Sequence, residues 1–420
     1  METNHDVLPG KLDYCQITGS KNLFEAIDLG HQPPCDSLLT KEMLNQPEKH
    51  YPLRLMICPD SGSAQLDYII DGKEIYYPDY PYRSGISKPL EEYQRAFADD
   101  VVKRFSLAQN SLCVDIGSND GTLLTGFKRN SMKALGVEPT NIAKIAREEN
   151  QIDTIQSFFT EDVAKEIVSK NGKAKIITMT NVFAHMAPLG EVMRGLSALL
   201  DDDGVFITES QYLLDVLLGN QFEGIYHEHV RTYSLKALVT LMPYYGLEVF
   251  DVQRATRYGG NIRAYVAHKG VKPIDQRVTD LLKTEEEAGL FKPEVWAKWR
   301  ERVDANRTAF MELAYEAKRK GQSFVGASCP GRGAVLLNYY GVDKNLMPYI
   351  GEIPTGLKIG RYMPGVHIPV VSNEILFKEQ PDYIVILAWH YSDYIIKDFR
   401  DRGIKSKFVV PLPEFRIVED

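Results

Sequence analysis

The stretch Val114-Asp115-Ile116-Gly117-Ser118-Asn119-Asp120-Gly121 constrains the fold more than any other. Leu112, Val114 and Ile116 alternate and stop at a glycine, the pattern of a buried strand running into a tight turn. Leu123 and Leu124 open a helix behind it. Gly117 and Gly121 let the backbone approach a ligand closely, and the helix start beyond them offers unpaired N–H groups. A second strand, Ala134-Leu135-Gly136-Val137, ends in Glu138. An acid there, about 20 residues beyond the glycine turn, accepts hydrogen bonds from both hydroxyls of a ribose. The unit reads as a nucleoside-binding α/β half; a purely structural βα turn is the competing reading. The glycine pattern is D-x-G-x-x-x-G rather than G-x-G-x-x-G, so it lacks the wide cradle of a dinucleotide's pyrophosphate. A cofactor without phosphates, such as S-adenosylmethionine, fits better. Asp115, Gly117, Asn119, Asp120, Gly121 and Glu138 are its candidate binding residues.

At 420 residues the chain has room for two or three domains. A net charge of −8 gives no support to a broad nucleic-acid or anionic-membrane surface. No apolar run approaches the ~20 residues that a membrane span needs, and the first residues lack the basic-then-apolar pattern of a signal peptide. Five cysteines, scattered through a long chain, do not form a disulfide framework. The expected setting is the cytoplasm, with no nucleic-acid or membrane partner, and the expected state is a monomer.

Three regions are expected: a small β-rich domain over 1–75, a nucleoside-binding α/β domain over 76–230 and a second Rossmann-like α/β domain over 231–420. In the first, Cys15-Gln16-Ile17-Thr18 and Cys58-Pro59-Asp60-Ser61 stand where two C-x-x-C pairs would signal zinc. The second member of each is a hydroxyl residue, and neutral hydroxyls are poor ligands beside thiolates. The expectation is a relic of a zinc ribbon with no metal; the spacing of Cys35 fits no pattern. Residues 76–87 are rich in Tyr, Pro and Gly and read as a loop whose tyrosines either pack between domains or line a pocket. Leu90, Tyr93, Phe97, Val101 and Phe105 then form the core stripe of a helix.

In the central region the strand Ala174–Met179 runs into Asn181 and His185. Ligands bind at the carboxyl ends of strands in open α/β sheets, so both are site candidates. Phe222 to His229 is dense in groups that transfer protons. In an extended segment His227 and His229 would share one face, and Tyr226 and Glu228 the other. A polar surface loop is the alternative. Residues 275–320, with Glu285-Glu286-Glu287, read as a solvated helical pair. A second βα unit follows at Phe324–Gly326 and Pro330-Gly331-Arg332-Gly333. Arg332, Lys358 and Arg361 are candidates to hold a phosphate, with Asn261 grouped beside them as a nucleotide contact.

These motifs resemble, in order and over nearly the whole length, the C-methyltransferases that add a methyl group to C-3 of a nucleotide-linked 4-keto-6-deoxy sugar. Tyr82-Arg83-Ser84-Gly85 stands where that family has a site tyrosine. Asp115 to Gly121 is similar to its cofactor motif. Asn181-Val182-Phe183-Ala184-His185 and Tyr226-His227-Glu228-His229 are similar to its two active-site motifs. Gly360 to Pro369 and Leu387-Ala388-Trp389 are similar to its C-terminal signatures. The cysteine pairs stand at its zinc domain, of whose ligands only Cys15 and Cys58 remain. The resemblance implies S-adenosylmethionine, a dTDP- or GDP-type keto sugar and a deoxysugar pathway. His229 matches the family's base, Glu228 orients the site or binds a sugar hydroxyl, and Tyr226, His185 and Tyr82 place donors near an enolate oxygen. Asn181 joins the cofactor residues, and the C-terminal half holds the nucleotide. A small-molecule O- or N-methyltransferase would not explain the second α/β half. An NAD-dependent enzyme would need a stricter glycine fingerprint. A non-catalytic S-adenosylmethionine- or nucleotide-binding protein would need no base at 229.

Overall fold

The structure, a computed structural model, describes residues 5–75, 83–86 and 88–419. Residues 5–75 form the expected β-rich, zinc-ribbon-like unit. β1 (Phe24–Gln32), β2 (Tyr51–Ile57) and β3 (Ala64–Leu66) pair antiparallel. The fourth strand of this sheet comes from far along the chain: Arg231–Thr232 pairs with Gln65 and Ala64. The small unit is thus sewn to the central domain by backbone hydrogen bonds.

α1 (Lys88–Arg104) precedes the central seven-stranded sheet of β4 (Leu112–Ile116), β5 (Lys133–Val137), β6 (Asp153–Ile155), β7 (Ala174–Thr180), β8 (Leu200–Gln211), β9 (Leu247–Ala255) and β10 (Asn261–His268). Its spatial order is β9-β10-β8-β7-β4-β5-β6, parallel from β8 to β6 and antiparallel at β10. β4 is buried along its whole length, as a strand covered by helices on both faces must be. From β4 the chain winds outward to β6, then returns to β7 on the other side. That reversal opens a crevice at the carboxyl ends of β4 and β7. The Gly117 turn lines one side of it and Asn181 the other.

The sheet runs past residue 230, where the sequence reading ended the central domain. β9 and β10 are an antiparallel hairpin whose inward residues, among them Val249, Val252, Ala264 and Val266, complete the same core. Asn261 therefore opens a strand of the central sheet. Two helices follow, Gln276–Glu287 and Pro293–Arg319, the second with its proline in the first turn, where the missing N–H costs nothing. The C-terminal sheet has β11 (Phe324–Ala327), β12 (Ile350–Glu352), β13 (Val370–Ser372), β14 (Tyr383–Ile386), β15 (Lys407–Val410) and β16 (Arg416–Val418). Its order is β13-β12-β11-β14-β15-β16, parallel except at β16. This is a second Rossmann-like unit, with its own strand-order reversal at the end of β11, just before the helix Gly331–Tyr340. Among the described residues no helix is long and apolar enough to cross a membrane.

One acid of the expected solvated helix is not solvated. Glu285 is fully buried, and its carboxylate accepts from the backbone N–H groups of Leu235 (2.5 Å) and Lys236 (3.1 Å) and from the Tyr212 hydroxyl (2.9 Å). It caps the helix Leu235–Leu241 from a distant part of the chain, which periodicity cannot reveal. Glu285→Ala strands these buried donors and should lower stability by on the order of 3 kcal/mol in urea denaturation. Glu286→Ala, one residue away, should change it by less than about 0.5 kcal/mol.

Candidate active site

The segment after helix 222–224 turns rather than extends. The His229 N–H donates to the Tyr226 carbonyl (2.8 Å), which closes a turn over residues 226–229. A turn brings positions i and i+3 together, so the pairing expected of an extended segment does not occur. His227 swings away to the N-terminal sheet, where Nε2 lies 3.2 Å from the Pro52 carbonyl. Tyr226 and His229 meet instead, ring centres 4.1 Å apart, with the phenol oxygen 2.8 Å from His229 Nε2. The other nitrogen, Nδ1, faces two acceptors, the Gly224 carbonyl at 3.0 Å and Gln211 Oε1 at 3.2 Å. Nδ1 therefore carries the proton, and Nε2 is a lone pair that accepts from the Tyr226 hydroxyl. A side chain at Gly224 would push the Gln211 amide aside, because a Cβ there would meet its nitrogen. Burial, then the neighbouring His185, hold His229 well below the usual imidazole range, so it is a neutral base.

His185, on a short turn at the end of β7, stands edge-on to the His229 ring at 4.9 Å, with Nδ1 3.7 Å from Glu228 Oε2. Burial pushes it down to about 4. Glu228 is buried beside Cys35 and Asp36 of the N-terminal unit, with one ligand atom of each residue within 4.8 Å of the others. Positive charge is already present there, because Lys358 Nζ lies 2.9 Å from Asp36 Oδ1. Of the expected phosphate-binding residues, Lys358 is thus engaged by Asp36. Arg332 bonds the Tyr258 carbonyl (2.9 Å) and Glu223 (3.0 Å), and Glu223 also accepts from the Trp389 indole at 2.7 Å. Arg361 is exposed on the surface. Tyr82 lies outside the described residues. Asp36 escaped the sequence reading as a single residue outside any motif, while Cys35, Glu223 and Tyr258 were seen but given no place in the site, because the partners that bring them there are distant in sequence.

At the crevice of the central sheet, Gly117 and Gly121 have φ of +71° and +77°, and a Cβ on Gly117 would lie 2.6 Å from the Val182 side chain. The Asn119 N–H donates to Glu138 (3.0 Å), whose other oxygen accepts from the Thr140 N–H (2.9 Å) and hydroxyl (2.6 Å). Asn119 Oδ1 and Asp120 Oδ2 hold the chain at 84–85, accepting from the Ser84 N–H (2.9 Å) and the Gly85 N–H (2.7 Å). Asp120 thereby fastens a neighbouring segment beside the glycine turn. Asn181 (φ +58°) accepts from the Asn261 amide at 3.1 Å. The adjacent Glu209 is buried and binds Arg263 (2.7 Å) and Tyr93 (2.9 Å). Asp115 and Glu138, both buried, place two acids at adjacent strand ends. Such a crevice repels phosphates and suits ribose hydroxyls and a cationic sulfonium, so the residues fit S-adenosylmethionine.

Three family profiles match successive parts of the chain: a putative zinc binding domain over residues 15–76, a methyltransferase domain over 90–252 and a C-methyltransferase C-terminal domain over 256–413. The C-methyltransferase NovU of Streptomyces niveus is 31% identical over 412 residues, 97% of each chain. A methyltransferase dependent on S-adenosylmethionine from Anabaena variabilis is 17% identical, with a TM-score of 0.33 over 42% of this chain and 85% of that one. The magnesium protoporphyrin IX methyltransferase of Synechocystis with bound S-adenosylhomocysteine is 15% identical, with a TM-score of 0.33 over 43% and 83%. The N-terminal residues do not fit zinc: Cys15 and Cys58 are accompanied by the Ser61 and Thr18 hydroxyls, which hydrogen-bond the thiols.

Asp115 gives a titration test of the crevice. Burial, offset in part by the Thr178 hydroxyl at 2.6 Å, pushes its carboxyl up to about 7. The folded chain then keeps a proton that the unfolded chain releases from about pH 4 upward. This carboxyl's cost to stability therefore grows as pH rises from about 4 to 7 and is complete above that. Asp115→Asn keeps the acceptor for Thr178 and does not titrate. Without ligand, the variant should gain on the order of 3 kcal/mol over wild type at pH 8 and much less at pH 5, as read from urea unfolding at the two pH values.

Proposed function

The chain belongs to the C-methyltransferases that use S-adenosylmethionine, and from that premise we propose that it methylates C-3 of a nucleotide-linked 4-keto-6-deoxy sugar through an enolate. The observation that carries this reading is the Tyr226–His229 pair, a neutral imidazole with its proton fixed on Nδ1 and its lone pair on a phenol. Methyl transfer to oxygen or nitrogen needs no carbon acid to be deprotonated. Methyl transfer to carbon beside a ketone does, and this pair is built as the acceptor. S-adenosylmethionine, when bound, supplies an electrophilic methyl on a sulfonium.

The chain's own residues do the rest. As the C-3 proton passes to the Tyr226 oxygen, the phenolic proton moves to His229 Nε2. The imidazolium so formed keeps its Nδ1–H bonds to Gly224 and Gln211. His185 and Tyr82 donate to the oxygen that gains charge. Glu228 takes a sugar hydroxyl and faces the charge that develops on the histidines. Glu138, Asn119, Asn181 and the turn from Gly117 to Gly121 hold the cofactor. Arg332, Lys358 and Asn261, with Tyr258 and Glu223, edge the side from which a dTDP- or GDP-type nucleotide enters. The resemblance of the motifs around 82, 185, 229 and 360–369 supports the sugar as substrate. The setting is cytoplasmic deoxysugar biosynthesis.

Mass spectrometry after incubation with S-adenosylmethionine and a panel of nucleotide-linked 4-keto sugars should detect one methyl added to the sugar; methylation at oxygen or nitrogen would overturn the proposal. His229→Ala and Tyr226→Phe should each lower turnover by a factor on the order of 10²–10⁴ and leave S-adenosylhomocysteine binding intact by calorimetry. Glu138→Ala should do the reverse, weakening that binding by about 1.5–3 kcal/mol. Because His229 is held low, the acid limb of kcat/KM should fall below pH 6.5, the ordinary imidazole value.

A further inference from the structure

The N-terminal unit keeps the architecture of a metal site around a donor set that does not suit a metal. In the first loop the Gly19 N–H donates to the Cys15 carbonyl and the Cys15 N–H to the Ser20 carbonyl, both at 2.7 Å. In the second the Gly62 N–H donates to the Cys58 carbonyl and the Cys58 N–H to the Ser63 carbonyl, both at 2.8 Å. The two turns match, and Gly19 and Gly62 share the left-handed backbone, φ +71° and +75°, that lets each close. They aim Cys15 and Cys58 at one another, fully buried and in hydrogen-bond contact, with Ser61 Oγ 3.1 Å from the Cys15 sulfur. Two thiols facing each other across two rigid turns need no metal to be joined.

We infer that Cys15 and Cys58 are a dithiol site that peroxide closes to a disulfide, which takes over the cross-link a tetrahedral metal would make. The two sulfurs stand in direct contact with the Ser61 hydroxyl beside them, so a sulfenic acid formed on one is within reach of the other thiol. The other three cysteines are single and buried. Both cysteines of the pair are fully buried, which keeps a bulky disulfide oxidant away and makes a small peroxide the oxidant proposed. The Cys58 sulfur attacks one peroxide oxygen, the O–O bond breaks, a sulfenic acid forms, and the hydroxide released takes up the Cys58 proton. The Cys15 sulfur then attacks the Cys58 sulfur, the S–O bond breaks, and the hydroxide released takes up the Cys15 proton. Two thiols and one peroxide give one disulfide and two waters. The link would brace the candidate site from outside. Gln16, next to Cys15, donates to the Ala187 carbonyl at 2.7 Å, two residues beyond His185.

The test uses the full wild-type chain, purified in reductant and then freed of it. Elemental analysis should give well under one zinc per chain. One equivalent of hydrogen peroxide should lower the thiols titrated in denaturant from five to three. Peptide mapping without reduction should show Cys15 linked to Cys58, and dithiothreitol should restore all five. Cys15→Ser, if it folds, should stop at a Cys58 sulfenic acid that dimedone traps. A zinc retained at one per chain, five thiols surviving peroxide, or any other cysteine pairing would overturn the inference; none of these bears on the methylation reaction.

Discussion

A single buried guanidinium ties the candidate site to the rest of the molecule. Arg231 is fully buried, and its planar fork reaches three parts of the chain: the Gln16 side chain, the Met186 carbonyl and, at 3.0 Å, the Tyr233 hydroxyl. Gln16 belongs to the first cysteine loop, Met186 follows His185, and Arg231 itself lies two residues beyond His229. A buried arginine that lost one of these acceptors would carry an uncompensated polar group, at a cost of several kcal/mol. The N-terminal unit, the His185 turn and the His229 turn are therefore held as one body. The strand Arg231–Thr232, which completes the N-terminal sheet, fixes the same junction through the backbone.

That rigidity determines what His229 can do. A histidine free to rotate would divide its proton between two nitrogens. Here Gly224 and Gln211 hold the proton on Nδ1, and the Tyr226 hydroxyl lies on Nε2. Burial keeps the ring neutral, so it begins each turnover as a base, and the protonated form is favoured only when new charge develops beside it. The cofactor side obeys a different constraint. Its crevice follows from the order in which the parallel strands are laid down, and the acids at the strand ends, Asp115 and Glu138, give it a polarity opposite to that of a phosphate cradle.

Much of this was legible in the sequence, for identifiable reasons. The strand, turn and helix around Gly117, and the second βα unit at Phe324 to Leu337, show because apolar runs ending in glycine are local signals. Tyr226, Glu228, His229 and His185 show because chemistry-bearing residues cluster in short motifs. The pairing within 226–229 did not, because it depends on whether the backbone turns or extends, and one hydrogen bond decides that. The hairpin 247–268 had a period-two signal, in Leu247 and Val249 on one strand and Ala264 and Val266 on the other, that would have placed it in the central sheet. Glu285 and Asp36 left no signal, since the partners that bury them come from distant segments.

The central claim is that the Tyr226–His229 pair removes a proton from carbon before the methyl moves. Incubating wild type in heavy water with S-adenosylhomocysteine and a nucleotide-linked 4-keto sugar separates the two steps, because no methyl can be transferred. The account predicts that deuterium enters C-3 of the sugar with wild type, and that His229→Ala gives no exchange above the solvent background. Exchange by His229→Ala at the wild-type rate would contradict it, and the base would have to be sought elsewhere.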